Sequence, residues 1–204
     1  MLDRPPARPT LPTLILASTS RYRRELLGRL RLPFEVVAPG VDETARAGES
    51  PAALAERLSR TKAGAVAALH PHAVVIGSDQ VCELDGEAFG KPGTHERAVR
   101  QLERLSGQRA VFHTSVCVMR RDIGYESHAA APVVVQFRRL LADEIEHYLR
   151  IEQPYDCAGS AKCKTLGIAL LESIESDDPT ALVGLPLIRT ARLLRESGLD
   201  PLRP

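Results

Sequence analysis

The sequence predicts an α/β fold with a mixed central sheet and helices on its faces. In the first half of the chain, short apolar runs alternate with helix-like stretches, as is typical of strands connected by helices. Two long strand-like runs then follow one another directly, which predicts a β-strand pair within the same sheet. Of 204 residues, 44% are hydrophobic, enough for the core of one large domain or two closely joined lobes.

The first elements are a strand, a helix and a second strand. Residues 14–17 form an apolar run that predicts a buried strand, and the Ser-Thr-Ser of residues 18–20 supplies helix-capping hydroxyls directly after it. The first helix is predicted over residues 21–30, and the next strand over residues 34–37.

A long helix and a strongly apolar strand come next. Ser50 followed by Pro51 is a cap followed by proline at the first helical position, which predicts a helix to about residue 69. Residues 73–82 predict a buried strand, and the Leu-Asp-Gly-Glu of residues 84–87 predicts a hairpin turn.

The strand pair lies in the middle of the chain. Thr94 caps a third helix, which stops at Ser106-Gly107. The long strands are predicted over residues 110–119 and 131–137, joined through residues 121–127.

The last third returns to helices. A fourth helix is predicted over residues 141–150, a loop over residues 156–167 and a short strand over residues 168–171. Asp178-Pro179 is expected to open the last helical region, which ends near residue 198.

Charge and composition exclude several classes of protein. With 27 basic and 26 acidic residues, no overall field draws the chain onto a nucleic-acid polymer or a membrane, and no apolar stretch approaches the roughly 20 residues of a membrane span. Residues 1–12 contain four prolines and are predicted to be a disordered tail before a single domain over residues 13–204. Four scattered cysteines without zinc spacing favour the cytoplasm.

The joint at residues 18–24 is a candidate phosphate site. Arg21, Arg23 and Arg24 crowd the first helical turn, where cations are usually unfavourable because the helix N-terminus is already partly positive. A bound anion would remove this conflict, with backbone N–H groups and serine hydroxyls as further donors. The alternative is a solvated basic turn that tolerates a small cost.

Lys62 and Asp79 are charged residues in apolar surroundings. Lys62 lies within the apolar arc of the second helix, so its side chain either extends from the edge of the core to solvent or lines a cleft. Asp79 ends a buried strand, where ligands commonly bind, and is a candidate metal ligand or base; a turn-capping aspartate is the alternative. Glu43 and Lys91 are loop charges that carry little weight alone.

Taken together, the segments resemble a known family. The chain is similar to the Maf nucleotide pyrophosphatases over about residues 13–202, through ordered blocks: Leu16-Ala17-Ser18-Thr19-Ser20, Arg23-Arg24-Glu25-Leu26-Leu27, Val41-Asp42-Glu43, Lys62-Ala63, Gly77-Ser78-Asp79-Gln80-Val81, Gly90-Lys91-Pro92, Cys157-Ala158-Gly159-Ser160 and Leu182-Val183-Gly184-Leu185-Pro186. The resemblance implies an elongated, two-lobed Maf/ITPase-like fold with a central cleft. It also implies a commonly homodimeric enzyme that cleaves nucleoside triphosphates between the α and β phosphates.

The resemblance also assigns roles to residues. It implies a divalent cation (Mg, Mn or Co) held by Glu43 and Asp79, with Asp79 as the base for the attacking water. The implied phosphate-binding residues are Ser18, Arg23, Lys62 and Lys91.

Base recognition is expected from three residues. Tyr22, Gln80 and Lys164 occupy the specificity positions of the branch that acts on 7-methyl-GTP, although that branch usually has tryptophan at the first and an acid at the third. An aromatic face suits a positively charged methylated base, whereas an inward Lys164 would repel it. The alternatives are a pyrophosphatase acting on other nucleotides, such as dTTP and UTP, and a nucleotide-binding regulator of septum formation.

Overall fold

A computed structural model describes residues 11–203, so most of the predicted disordered tail, residues 1–12, lies outside the described residues. Within residues 11–203, seven strands form one sheet: β1 (Leu14–Ala17), β2 (Glu35–Val37), β3 (Val74–Leu84), β4 (Glu87–Phe89), β5 (Arg109–Arg120), β6 (Tyr125–Phe137) and β7 (Leu171–Glu175). Over the same residues there are five helices: α1 (Arg21–Gly28), α2 (Pro51–Leu69), α3 (His95–Leu105), α4 (Ala142–Glu152) and α5 (Leu187–Glu196).

The sheet is mixed, which confirms the predicted fold class. Its order is β2-β1-β3-β5-β6-β7, and β4 pairs with β3 as the second strand of a hairpin. Strand β1 is parallel to β2 and β3, whereas β3, β5, β6 and β7 are antiparallel to their neighbours. No helix in the described part of the chain is both long and apolar enough to cross a membrane.

Three long strands connect two separate hydrophobic cores. One end of β3, β5 and β6 packs with α1 and α5, through residues such as Ile76 and Val118. The other end packs with α3 and α4, through residues such as Phe112 and Val133. A third cluster fixes α2 against β1 and β3. The molecule is therefore two-lobed, with β3, β5 and β6 running through both lobes.

The helix starts follow the predicted capping residues. The Ser20, Ser50 and Thr94 hydroxyls accept hydrogen bonds from the backbone N–H groups three residues later, satisfying donors that a helix start leaves free. Helix α1 ends at Gly28, earlier than the predicted residue 30, and Arg31 then takes a left-handed conformation with φ 59°.

The predicted strand at residues 168–171 is wrong. A short 3₁₀ segment, η3 (Leu166–Leu170), occupies most of it, and β7 starts only at Leu171. The apolar run of residues 168–171 has the pattern of a buried strand, but the true strand follows it. Strand β7 is an exposed edge strand, and its Leu-Glu-Ser-Ile-Glu sequence lacks that pattern. Gly167 meanwhile packs against the Lys162 backbone, where a Cβ would lie 2.6 Å from the carbonyl oxygen.

The start of the last helix also differs from the prediction. Residues 178–186 form a turn and the 3₁₀ segment η4 (Ala181–Val183), and α5 begins at Leu187. Asp178 still caps this helix, but from a distance: its Oδ2 accepts the N–H of Arg189 at 3.1 Å. Thr180 Oγ1 similarly accepts the N–H of Leu187 at 2.7 Å. The predicted opening at Asp178-Pro179 therefore lies nine residues before the first residue of α5.

Candidate active site

A cleft of about 1090 Å³ opens between the two lobes. One wall comes from α1, α2 and the middle of β3; the other comes from the segment of residues 153–164. All nine site residues predicted from the sequence line it: Ser18, Tyr22, Arg23, Glu43, Lys62, Asp79, Gln80, Lys91 and Lys164.

Lys62 and Asp79 form the floor of the cleft. The Lys62 Nζ donates to Asp79 Oδ1 at 2.6 Å and lies 2.8 Å from Glu43 Oε1. Lys62 and Asp79 are only 4% and 7% exposed, so their charges are partly removed from water and need each other. The predicted inward orientation of Lys62 is confirmed, and its ammonium group joins two carboxylates.

A close approach of α2 to β3 makes this pairing possible. At Gly77, an added Cβ would lie 2.2 Å from the Ser59 carbonyl oxygen and 2.5 Å from the Ala63 backbone nitrogen. Glycine is the one residue that allows helix and strand to touch here. Since Lys62 and Asp79 flank this contact in sequence, the missing side chain sets the distance between them.

The cations around Glu43 keep it charged. Partial burial would raise the pKa of Glu43, but the hydrogen bond and charge of Lys62, with Lys91 and Arg23, hold that pKa below its ordinary value. Lys91 is exposed on the loop after β4, and no ion pair is formed by it within the described residues. Its ammonium group therefore remains available to an anionic ligand.

Arg23 extends from α1 toward the same carboxylate. Its Nε donates to the carbonyl oxygen of Gly184 at 2.9 Å, and its Nη2 lies 3.8 Å from Asp79 Oδ1. The Ser78 hydroxyl donates to that same carbonyl at 3.0 Å. Arg21 also lines the cleft, whereas Arg24 does not. The cleft floor thus presents two fixed cations beside one buried carboxylate, an arrangement suited to a polyanionic ligand.

Ser18 lies at the joint between β1 and α1. It is 4% exposed, and its Oγ accepts the N–H of Ser20 at 3.1 Å. Its hydroxyl hydrogen therefore stays free to donate into the cleft.

Gln80 has a fixed amide orientation. Its Nε2 donates to Thr114 Oγ1 and to the Ala181 carbonyl oxygen, both at 2.9 Å. The Nε2 group also lies 3.1 Å from the Leu182 carbonyl oxygen. Because these partners are all acceptors on one side, the Gln80 carbonyl oxygen is left for a hydrogen-bond donor in the cleft.

The aromatic ring of Tyr22 is in contact with cations. The Lys164 Nζ lies 4.2 Å from the ring centroid and donates to Glu25 Oε2 at 2.6 Å. Arg21 lies 4.7 Å from the same centroid and donates to the Tyr22 hydroxyl at 2.7 Å. Lys164 therefore faces the cleft and does not turn away from it.

Known proteins are similar to this chain over most of its length. The family described as "Maf-like protein" matches residues 13–197. The chain belongs to the Maf family. Three similar proteins carry the name 7-methyl-GTP pyrophosphatase. The protein from Polaromonas sp. strain JS666 is 63% identical over 191 residues, covering 94% of this chain and 87% of its own.

The other two relatives are of similar closeness. The protein from Albidiferax ferrireducens is 59% identical, covering 96% of this chain and 98% of its own. The protein from Bordetella pertussis is 59% identical, covering 94% and 95%. Among solved structures, the Staphylococcus aureus Ham1 protein matches 61% of this chain and 71% of its own, at 18% identity and a TM-score of 0.45.

The anchors of the second cleft wall were missed by sequence reasoning. In this Maf chain, Lys162 forms an ion pair with Glu152 at the end of α4, and both side chains are largely buried. Tyr148 donates from its hydroxyl to the Ser160 carbonyl oxygen at 2.9 Å and accepts the N–H of Lys162 at 2.9 Å. These contacts fix residues 153–164 against α4. Apart from the position of Tyr148 on the buried face of a predicted helix, the sequence contained no signal for them.

The cysteines form neither a disulfide nor part of a larger cluster of metal-ligating residues within residues 11–203. All four are free thiols, and no group of three or more His, Cys, Asp or Glu residues gathers there. Burial raises the pKa of Cys117 to about 12 and that of Cys157 to about 11. The cysteines are therefore neutral at physiological pH and unsuited to act as nucleophiles.

Proposed function

We propose that this chain hydrolyses the α–β phosphoanhydride of 7-methyl-GTP, releasing 7-methyl-GMP and pyrophosphate. The observation that carries the proposal is the cleft floor, where Arg23 and Lys62 flank the buried carboxylate of Asp79. A triphosphate needs its negative charge neutralised and an attacking water oriented, and this arrangement offers both. The names of the similar proteins give the substrate.

Asp79 is the proposed general base. Its Oδ1 is occupied by Lys62, whereas its Oδ2 has no hydrogen-bond partner within the described residues. That free oxygen can take a proton from water as the water oxygen bonds to a phosphorus of the α–β anhydride. The bond from that phosphorus to the bridging oxygen then breaks, which separates 7-methyl-GMP from pyrophosphate.

The phosphate groups are proposed to bind the cations and hydroxyl that line the cleft. Arg23 is already fixed by the Gly184 carbonyl, so it loses little freedom on binding. Lys91 is exposed and Ser18 has a free hydroxyl hydrogen, so both can turn to the ligand. Lys62 would exchange part of its contact with Glu43 for a phosphate oxygen.

A divalent cation is proposed to bind at the same site together with the substrate. Glu43 and Asp79 supply carboxylate oxygens, which suit Mg²⁺ or Mn²⁺, and an ion of this kind usually completes its shell with substrate phosphates and water. Lys62 now lies between the two carboxylates, so the cation would enter together with the substrate. When bound, it would neutralise phosphate charge and lower the pKa of a bound water.

Pyrophosphate release tests the proposal. The purified protein is incubated separately with 7-methyl-GTP, GTP, dTTP and UTP, each in the presence of Mg²⁺, Mn²⁺ or Co²⁺. Pyrophosphate and inorganic phosphate are then measured separately. We expect pyrophosphate from 7-methyl-GTP, and at least a hundredfold lower kcat for Asp79→Asn, because the amide cannot take the proton. Inorganic phosphate as the product, or undiminished turnover by Asp79→Asn, would rule out this mechanism.

A second candidate keeps the chemistry and changes the base. Lys164 places an ammonium group 4.2 Å from the Tyr22 ring, which would favour a neutral base over a cationic one wherever Glu25 does not cancel that charge. A higher kcat/KM for dTTP or UTP than for 7-methyl-GTP in the same experiment would establish this candidate. A nucleotide-binding regulator would show affinity without turnover by the wild-type protein.

The compartment is proposed to be the cytoplasm. Four free thiols suit a reducing environment. A homodimer, expected from the family resemblance, is testable by light scattering of the purified protein.

A further inference from the structure

Glu25 and Lys164 form an ion pair at the mouth of the cleft. Glu25 lies on α1, one turn after Tyr22, so the two side chains share a helix face. Lys164 belongs to the segment after the 3₁₀ turn η2 (Ala158–Ser160), on the opposite wall. The 2.6 Å hydrogen bond between them, 139 residues apart in sequence, therefore connects the two walls.

The Lys164 ammonium group also covers one face of the Tyr22 ring, the aromatic surface expected to contact the nucleotide base. Its distance of 4.2 Å from the Tyr22 centroid is that of a cation–π contact. A planar base stacking at that surface would need the same space. Lys164 must therefore move before a base can stack there.

We propose that Glu25 and Lys164 are a pair that sets base selectivity. In the absence of a nucleotide, the Lys164 ammonium occupies the position of a cationic base on Tyr22, and Glu25 cancels the charge of Lys164. This inference rests on the proposed function, since it concerns which nucleotide base the cleft accepts. Glu25 is thereby assigned a role although it does not itself line the cleft.

The charges explain why the pair acts on selectivity. With both residues present, the pair adds no net charge beside Tyr22, so it does not repel a base made positive by N7-methylation once Lys164 moves aside. The Lys164 side chain is 26% exposed and that of Glu25 is 60% exposed, so water screens the ion pair and it opens readily. The bond is nevertheless strong enough to lower the pKa of Glu25 through the Lys164 hydrogen bond.

Two single substitutions are expected to act in opposite directions. Glu25→Gln leaves the Lys164 charge uncancelled, so the site repels a cationic base. Lys164→Gln frees the Tyr22 ring and leaves the Glu25 charge, so the site attracts one. A purely structural role for the pair would instead make both substitutions act in the same direction. Arg21, Asp156 and Lys162, which also lie near Tyr22, are unchanged in every variant.

The test measures binding rather than turnover. Isothermal titration gives Kd values for 7-methyl-GMP and GMP, which differ in the charge of the base but carry the same phosphate. We expect the affinity ratio of 7-methyl-GMP to GMP to rise roughly threefold or more in Lys164→Gln and to fall by a similar factor in Glu25→Gln. The double variant should lie between them.

Controls separate this effect from loss of folding. Glu175→Gln breaks an exposed ion pair with Arg109 that lies outside the cleft lining, and should leave the affinity ratio unchanged. Thermal melts of each variant confirm that the fold is retained. Because both nucleotides are measured on the same variant, a general loss of binding cancels in the ratio.

The outcomes distinguish this inference from the proposed function. Opposite shifts in the ratio support the pair even if no triphosphate is hydrolysed, in which case the proposed function alone fails. Equal or absent shifts overturn the pair even if 7-methyl-GTP is hydrolysed. Failure of the wild-type protein to bind either monophosphate also overturns it, because no base is then read beside Tyr22.

Discussion

One side chain, Lys62, is expected to serve both the stability of the fold and the proposed binding of phosphate. It contacts the carboxylates of Asp79 and Glu43 at 2.6 and 2.8 Å while being almost fully buried. A buried lysine is unfavourable alone, and so is a buried aspartate, but the pair satisfies both. The substrate would enter this arrangement by replacing contacts that already exist.

Removing the Lys62 ammonium should therefore affect stability as well as activity. We expect Lys62→Met to lower the free energy of unfolding by about 1–3 kcal/mol, because Asp79 loses its hydrogen-bonded partner in a buried site. Urea denaturation at pH 7 measures this loss. Lys91→Met is the matched control: it removes an exposed cation of the same cleft and should lower turnover with no change in stability beyond about 0.5 kcal/mol. Equal stability losses in the two variants would contradict the structural role of Lys62.

Among the elements, α2 and β3 are joined by the contact at Gly77. The helix can approach the strand this closely since Gly77 has no side chain, and a Cβ there would lie 2.2 Å from the Ser59 carbonyl oxygen. Both elements carry cleft residues close to this point, so any shift that makes room for a methyl group also changes the distance between Lys62 and Asp79.

Gly77→Ala is accordingly expected to be severe. The methyl group must push helix and strand apart, which should destabilise the protein by about 1–3 kcal/mol or more and reduce kcat. Gly28→Ala, at the end of α1 where a Cβ meets nothing within 4 Å, should be neutral or stabilising by up to about 1 kcal/mol. Denaturation and pyrophosphate release on both variants check this contrast. A fully active, stable Gly77→Ala variant would show that the contact does not position the site.

The ion pair between α4 and the second cleft wall depends on pH. Lys162 lowers the pKa of Glu152 below its ordinary 4.5, and Glu152 raises the pKa of Lys162 above 10.5. The Glu152 contribution to stability is thus present above pH 4.5 and lost as the pH falls through the depressed value. The Lys162 contribution is present below pH 10.5 and lost as the pH rises through the raised value.

Glu152→Gln tests this pH dependence. At pH 7 the variant should be less stable than the wild type by about 1–3 kcal/mol, since the buried Lys162 ammonium loses its partner. The difference should shrink at a pH below the depressed pKa of Glu152, where the wild type has lost the charge too. Denaturation curves at both pH values measure the difference in free energy of unfolding between the wild type and the variant. An equal difference at the two pH values would mean that the charge of Glu152 contributes nothing.

At the scale of the whole molecule, the cleft lies between two cores that share β3, β5 and β6. A ligand in the cleft contacts both walls, so it binds the native state and not the unfolded chain. We expect 7-methyl-GMP at a hundred times its Kd to stabilise the protein by about 2.7 kcal/mol and raise its melting temperature. Arg23→Gln should reduce this shift at the same ligand concentration, and an unchanged wild-type melting temperature would contradict binding in the cleft.

How much the sequence could predict depends on the range of the interactions. Helix α2 was predicted correctly because its signals are local: Ser50 and Pro51 at the start and apolar residues at helical spacing. Strand β7 was misplaced because an edge strand with one unpaired side needs no apolar pattern. The residues of the cleft floor stood out as charges in apolar segments. The pairs Lys162–Glu152 and Lys164–Glu25 could not be predicted, because each joins separate elements and leaves no trace in the spacing along the chain.

The carbonyl of Gly184 has a consequence for how the enzyme is made. Arg23 and Ser78, from the first half of the chain, both donate to this one oxygen, 161 and 106 positions away. Synthesis proceeds from the N-terminus, so neither donor finds its acceptor until Gly184 has left the ribosome. A growing chain can assemble β1, α1 and β3 early, but Arg23 then still lacks its hydrogen bond to the Gly184 carbonyl oxygen. Catalytic competence should therefore arise only after Gly184 has left the ribosome, together with the folding of α5.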